Sequence, residues 1–336
     1  MVKNIILFFS LLLGLMLVSS PMRLFSQEQK SQEKNILLAD PTIFYNDGTY
    51  YLYGTGSGQY VNGFVTYSST DLKAWHGPVG VGNGYALKKG DAYGESQFWA
   101  PQVFKYNKKF YMAYASNEHI GIAMSDSPLG PFKQSSMAPL AKEIKQIDPF
   151  VFVDDNGKKY LYYVIVANGG NRIFVAEMND DMVSVKKETE KLCIEATAKW
   201  ENTANAPWIV TEGPTVIKHA QLYYLLYSAN DFRNTDYAVG YAVSKSPMGP
   251  WEKYAGNPII HKNNIGQNGV GHGDIVKGKN GDLLYVLHTH NSNDKVSPRK
   301  TALLKLKFVE DSKSGPDQLT VVPGSFRFLE IENETN

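Results

Sequence analysis

Ala39-Asp40-Pro41-Thr42-Ile43-Phe44-Tyr45-Asn46-Asp47-Gly48-Thr49-Tyr50-Tyr51-Leu52-Tyr53-Gly54 reads as two short alternating strands joined by a tight Asn-Asp-Gly turn, with a carboxylate and a proline at its head. Ile147-Asp148-Pro149-Phe150-Val151-Phe152-Val153-Asp154-Asp155-Asn156-Gly157-Lys158-Lys159-Tyr160-Leu161-Tyr162-Tyr163 repeats that phrase. Looser copies begin at Ala100-Pro101-Gln102, Glu212-Gly213-Pro214 and Gly271-His272-Gly273, so the phrase returns about every 50 to 65 residues. Repetition of one phrase is the first fact about this chain.

The punctuation repeats too. Ser125-Asp126-Ser127-Pro128-Leu129-Gly130-Pro131-Phe132 is matched by Ser244-Lys245-Ser246-Pro247-Met248-Gly249-Pro250-Trp251, and more loosely by Ser68-Ser69-Thr70-Asp71-Leu72-Lys73-Ala74-Trp75. No amphipathic stretch of helical length interrupts the strands, so the chain is expected to be all-β. Five similar antiparallel sheets of four strands, packed in a ring, would bury every apolar face and leave only short edges, which predicts a five-bladed β-propeller. A β-sandwich has no need of such a phrase, with its proline in four of the five, at the head of every unit.

At 336 residues and 43% apolar content the chain can bury a large core. Its 34 basic and 33 acidic residues nearly cancel and form no block of one sign, which argues against nucleic acid or an anionic membrane as partner. The 21 tyrosines suit half-buried strands and surfaces on which sugars stack. Lys3, the apolar run from Ile5 to Val18 and the small Ser26 read as a secretory signal peptide over residues 1–26, leaving 27–336 as one propeller domain. Cys193 is the single cysteine, so no internal disulfide forms, and none lies near the leader to take a lipid. A periplasmic or secreted monomer, free of the membrane once the leader is cut, is expected.

In a propeller the first strand of each unit lines the central channel, so the heads of the repeats converge on one mouth. Asp40, Asp148 and Glu212 stand at the heads of the first, third and fourth repeats and should meet in one pocket. Like charges brought together and partly desolvated drive their pKa values apart, leaving one ionised base and one proton-carrying acid. Hydrolysis of a glycosidic bond needs that pair: one group protonates the leaving oxygen, the other activates water on the opposite face. Any one of these acids alone would read as a turn or strand-capping residue; their coincidence at repeat heads is what points to chemistry.

On these residues the sequence resembles glycoside hydrolase family 43 across all five repeats, from Ala39 to Phe308, through its Ala-Asp-Pro, Ile-Asp-Pro and Thr-Glu-Gly-Pro phrases in that order. The resemblance implies an inverting five-bladed propeller that cleaves arabinofuranosyl, xylosyl or some galactosyl linkages. It also implies the roles: Asp40 the general base, Glu212 the general acid, and Asp148 the residue that tunes the acid and orients the sugar. Trp99, in Phe98-Trp99-Ala100-Pro101, matches an aromatic that faces the sugar, a core tryptophan being the plainer reading. His272 matches a histidine on the channel axis, beside which a calcium ion held mostly by water is admitted; no cofactor is required. Arg299, ahead of the third strand of the fifth repeat, is a candidate to reach the sugar, with a solvated arginine as its plainer reading. His288 and His290 are expected to pack or face solvent. The expected activity is exo release of terminal α-L-arabinofuranose or β-D-xylose from plant-type oligosaccharide or polysaccharide. An endo-arabinanase or endo-xylanase, an exo-β-galactosidase, a sugar-binding propeller that cuts nothing, and a protein-binding platform are the alternatives.

Overall fold

The computed structural model describes residues 34–311 and 315–332; the expected signal peptide lies outside them. The described chain is all-β, its helix confined to one turn at Lys262–Ile265 and three short 3-10 turns. Each sequence repeat forms the antiparallel hairpin that its alternation predicts. The five head strands are Ala39–Asn46, Trp99–Tyr106, Gln146–Val153, Ile209–His219 and Gly271–Lys277. Their partners are Thr49–Thr55, Lys109–Ser116, Lys159–Ala167, Leu222–Ala229 and Leu283–Thr289, and a third strand follows each.

The fourth strand is less regular than the sequence suggested. Lys191–Ile194, Glu252–Lys253 and Gln318–Val321 supply it in the last three repeats. In the first two it shrinks to single bridges, Ser68 with His76 and Met124 with Lys133. The third and fourth repeats also share one eight-stranded sheet, because Gly170 and Asn171 pair in parallel with Ile209 and Val210.

The core is divided among five apolar clusters in the described residues. Tyr53, Phe64 and Phe98 join the first repeat to the second; Phe104, Tyr111 and Leu161 join the second to the third. Tyr162, Tyr227 and Leu225 join the third to the fourth, and Tyr224, Leu226 and Tyr285 the fourth to the fifth. Leu38, Ile43, Val286 and Leu303 then join the fifth to the first. Along the head strands the neighbour relation follows the same order, with the Gly271–Lys277 strand lying beside Ala39–Asn46.

The segment 327–332 ties the last repeat to the first. Arg327–Phe328 pairs with the Lys300–Val309 strand, and Glu330–Ile331 runs parallel to Ala74–Trp75 in the first repeat. Ile36 N donates to Leu329 O at 2.8 Å, and both side chains are fully buried.

Candidate active site

A single local device sets every head strand. In each, the register with its partner slips at the quoted phrase, between Ala39 and Thr42, Trp99 and Gln102, Ile147 and Phe150, Glu212 and Thr215, and Gly271 and Gly273. These are β-bulges, which bend a strand and re-aim its side chains. The residue at each bulge has positive φ: Asp40 47°, Ala100 46°, Asp148 53°, Gly213 58° and His272 37°. A proline follows in four of the five, where the strand needs no ladder donor. The register also refines the reading of the sequence: Gly213, not Glu212, stands at the level of Asp40 and Asp148. Glu212 lies one residue earlier, at the level of Trp99 and Ile147.

Both levels face one cavity of about 540 Å³. All six residues singled out in the sequence line it: Asp40, Asp148, Glu212, Trp99, His272 and Arg299. Arg299 is no solvated arginine, since its side chain is 13% exposed, its Nη1 donates to Asp40 Oδ1 at 2.9 Å, and its guanidinium lies over the Phe232 ring. Trp99 is half-buried at the pocket wall. His272 Nδ1 lies 3.5 Å from Asp40 Oδ1 and 3.6 Å from Asp148 Oδ2.

Burial alone would push all three carboxyls up, and their neighbours decide the outcome. For Asp40 burial is outweighed by Arg299, with His272 and His288 adding to it, and the carboxyl is held well below the usual range. Asp148 feels burial and then the charge of Asp40; the Gly213 N–H, donating at 3.1 Å, and Arg299 only partly oppose these, and the group is pushed up to about 8. Glu212 is pushed up to about 7 by burial and then by Asp148, against the pull of His272 and the Tyr237 hydroxyl. A carboxylate held low and a pair pushed up toward neutrality therefore share one pocket.

Several contributors lie outside the repeated phrases. His288 is fully buried rather than solvent-facing; its Nδ1 is 3.3 Å from Asp40 Oδ1 and its Nε2 3.2 Å from Arg299 Nη1. Burial and the adjacent guanidinium pull its pKa down to about 3, so it acts as a neutral ring. His290 is buried as well, its Nε2 2.8 Å from Phe232 O. Thr55 donates to Asp40 Oδ2 at 2.6 Å. Tyr237 and Asn171 both donate to Glu212, and Trp208 stands 45% exposed on the rim. Trp208 had a sequence signal: it sits just ahead of a head strand, much as Trp99 opens another.

Asp148, Glu212 and His272 each offer one atom, all within 4.8 Å of one another. Calcium takes six to eight oxygen ligands. Two carboxylate oxygens, on groups that hold a proton near neutrality, and one ring nitrogen do not fit that demand as a direct site.

The family model described as glycosyl hydrolases family 43 matches residues 34–313. The β-D-galactofuranosidase xynD of Aspergillus niger is 25% identical, over 84% of this chain and 83% of its own length. The extracellular endo-α-(1→5)-L-arabinanase 1 of Bacillus subtilis is 28% identical, over 79% and 84%. The crystal structure of an endo-1,4-β-xylanase from Bacteroides thetaiotaomicron superposes with a TM-score of 0.80 at 39% identity, covering 89% of this chain and 98% of that one.

Proposed function

Because this chain belongs to glycoside hydrolase family 43, we propose that it is an inverting exo-glycosidase on a five-bladed propeller, releasing terminal α-L-arabinofuranose or β-D-xylose from plant-type saccharides. One observation carries the reading: a single pocket brings together Asp40, paired with Arg299 at 2.9 Å, and Glu212, whose carboxyl burial and Asp148 push up to about 7. The cyclic order of the five apolar clusters supports the propeller. In this mechanism Asp40 takes a proton from water as its oxygen attacks the anomeric carbon, while Glu212 gives its proton to the glycosidic oxygen as the C–O bond breaks. Inversion follows from a single displacement. Asp148 keeps the pair's proton near Glu212 and fixes the Gly213 backbone; Trp99, His272 and Arg299 hold the sugar.

The relatives act on different sugars and by both exo and endo routes, so the test is a panel of aryl α-L-arabinofuranoside, β-D-xyloside and β-D-galactoside. NMR of the first-formed anomer and product sizing on reducing-end-blocked arabinan and xylan complete it. Monosaccharide with inverted configuration is the expected product; oligosaccharides would move the reading to an endo-enzyme, and binding without turnover to a sugar-binding module. The Bacillus subtilis relative is named as extracellular, and among the described residues no helix is long and apolar enough to cross a membrane. We extend that to export through residues 1–26, with 27–336 acting as one monomeric catalytic domain.

A further inference from the structure

The carboxyl of Glu212 is held from both sides. Tyr237 Oη donates to Oε1 at 2.8 Å, and Asn171 Nδ2 donates to Oε2 at 3.2 Å. Asn171 Oδ1 in turn accepts from Trp208 Nε1 at 3.0 Å. These contacts run from the exposed rim to the floor of the pocket.

An indole N–H donates and never accepts, so Trp208 fixes which way the Asn171 amide points. With Oδ1 committed to Trp208, the NH₂ must face Glu212; the flipped amide would set donor against donor at the indole and acceptor against acceptor at the carboxylate. Asn171 has little freedom to escape, being 9% exposed and paired through its backbone with Val210. Glu212 Oε2 therefore always meets a donor. In a neutral carboxyl the carbonyl oxygen is the better acceptor, so the proton belongs on Oε1, where the Tyr237 hydroxyl is able to turn and accept.

We propose that Asn171, oriented by Trp208, is a positioning residue that places the transferable proton of Glu212 on Oε1. The proposal rests on Glu212 being the general acid. As the proton leaves Oε1 for the glycosidic oxygen, the electron pair of the breaking C–O bond stays on the leaving group. The carboxylate so formed then accepts from Asn171 and Tyr237 together, which stabilises the state in which the proton has been given away.

The test compares wild type with Asn171→Leu, close in volume but without donors, and Trp208→Phe, which keeps a ring on the rim but removes its N–H. Kinetics on aryl glycosides graded by leaving-group acidity are read across pH. Asn171→Leu is expected to lose about tenfold or more with poor leaving groups and little with a dinitrophenyl group, which needs no acid. Its alkaline limb should move to higher pH, because the ionised carboxyl has lost a donor. Trp208→Phe should move both readouts the same way and less far, and its exposed ring makes misfolding no excuse. Equal losses across leaving groups with an unmoved limb overturn the proposal. A ¹³C-carboxyl titration of Glu212 in each protein gives an independent reading: an unchanged Glu212 titration in Asn171→Leu also overturns it. If wild type cleaves no glycoside, the functional reading fails while that titration still decides the hydrogen-bond claim.

Discussion

The division of labour between Asp40 and Glu212 is a matter of single neighbours. Glu212→Gln should cost about 10²–10⁴-fold on a poor leaving group and far less on an activated aryl glycoside, whereas Asp40→Asn should cost similar factors on both, since the water loses its base either way. Arg299 supplies the largest force opposing burial at Asp40. Arg299→Ala leaves burial less opposed, so the base protonates at higher pH and the acidic limb of kcat/KM should move toward neutrality; an unmoved limb would show that the guanidinium does not set it. Asp148 makes the opposite prediction for stability. Its pKa is raised from 3.8 to about 8 in the folded state, so its contribution to stability is fully present below about pH 4 and lost progressively as the pH rises toward 8. Asp148→Asn removes that loss: its Tm should rise over wild type at pH 8 and match it near pH 4, at the expense of turnover. The acids were legible because each opens a repeated phrase. His288, Tyr237 and Asn171 were not, because each acquires its role only when the fold brings a distant strand within reach: His288 stands 248 residues from the Asp40 amide it accepts from.

The bulged head strand is the element on which the site is built. Holding non-glycine residues at positive φ costs about 1–3 kcal/mol each, and such strain persists where surrounding structure imposes it. Asp40, Asp148 and His272 accept that conformation and point into one cavity. Gly213 accepts it without strain and also makes room: a Cβ there would stand 2.8 Å from His272 Cγ. Gly213→Ala should therefore displace His272 and the N–H that Asp148 accepts, lowering kcat by about tenfold or more while the protein still folds; full activity would show that the backbone at this point is not what orders the pocket. The proline phrase announced these strands in the sequence. It did not announce the slip in register, so Glu212 reads from sequence as the counterpart of Asp40 although it stands one residue short. Backbone geometry at a bulge is decided by the opposing strand, which no single repeat contains.

At the scale of the whole molecule, the five repeats and their all-β character follow from alternation and turns that any window of sequence contains. What local sequence does not contain is the merging of the third and fourth repeats, which depends on two residues pairing with two others across about forty positions. The same holds for the C-terminal strands that reach back to the first repeat. Leu329 anchors that return, fully buried beside Ile36 and Trp75 in the cluster joining the last repeat to the first. Leu329→Ala should cost about 2–5 kcal/mol, read as a lower urea midpoint at constant m. A midpoint shift that, multiplied by m, amounts to less than about 1 kcal/mol would mean that the return is dispensable. Since Ile331 pairs with Trp75, that early strand acquires its neighbour only after all five repeats have been translated. Folding cannot then be completed in the order of translation, and loss of Glu330 and Ile331 would leave the Ala74–Trp75 edge unpaired and open to aggregation.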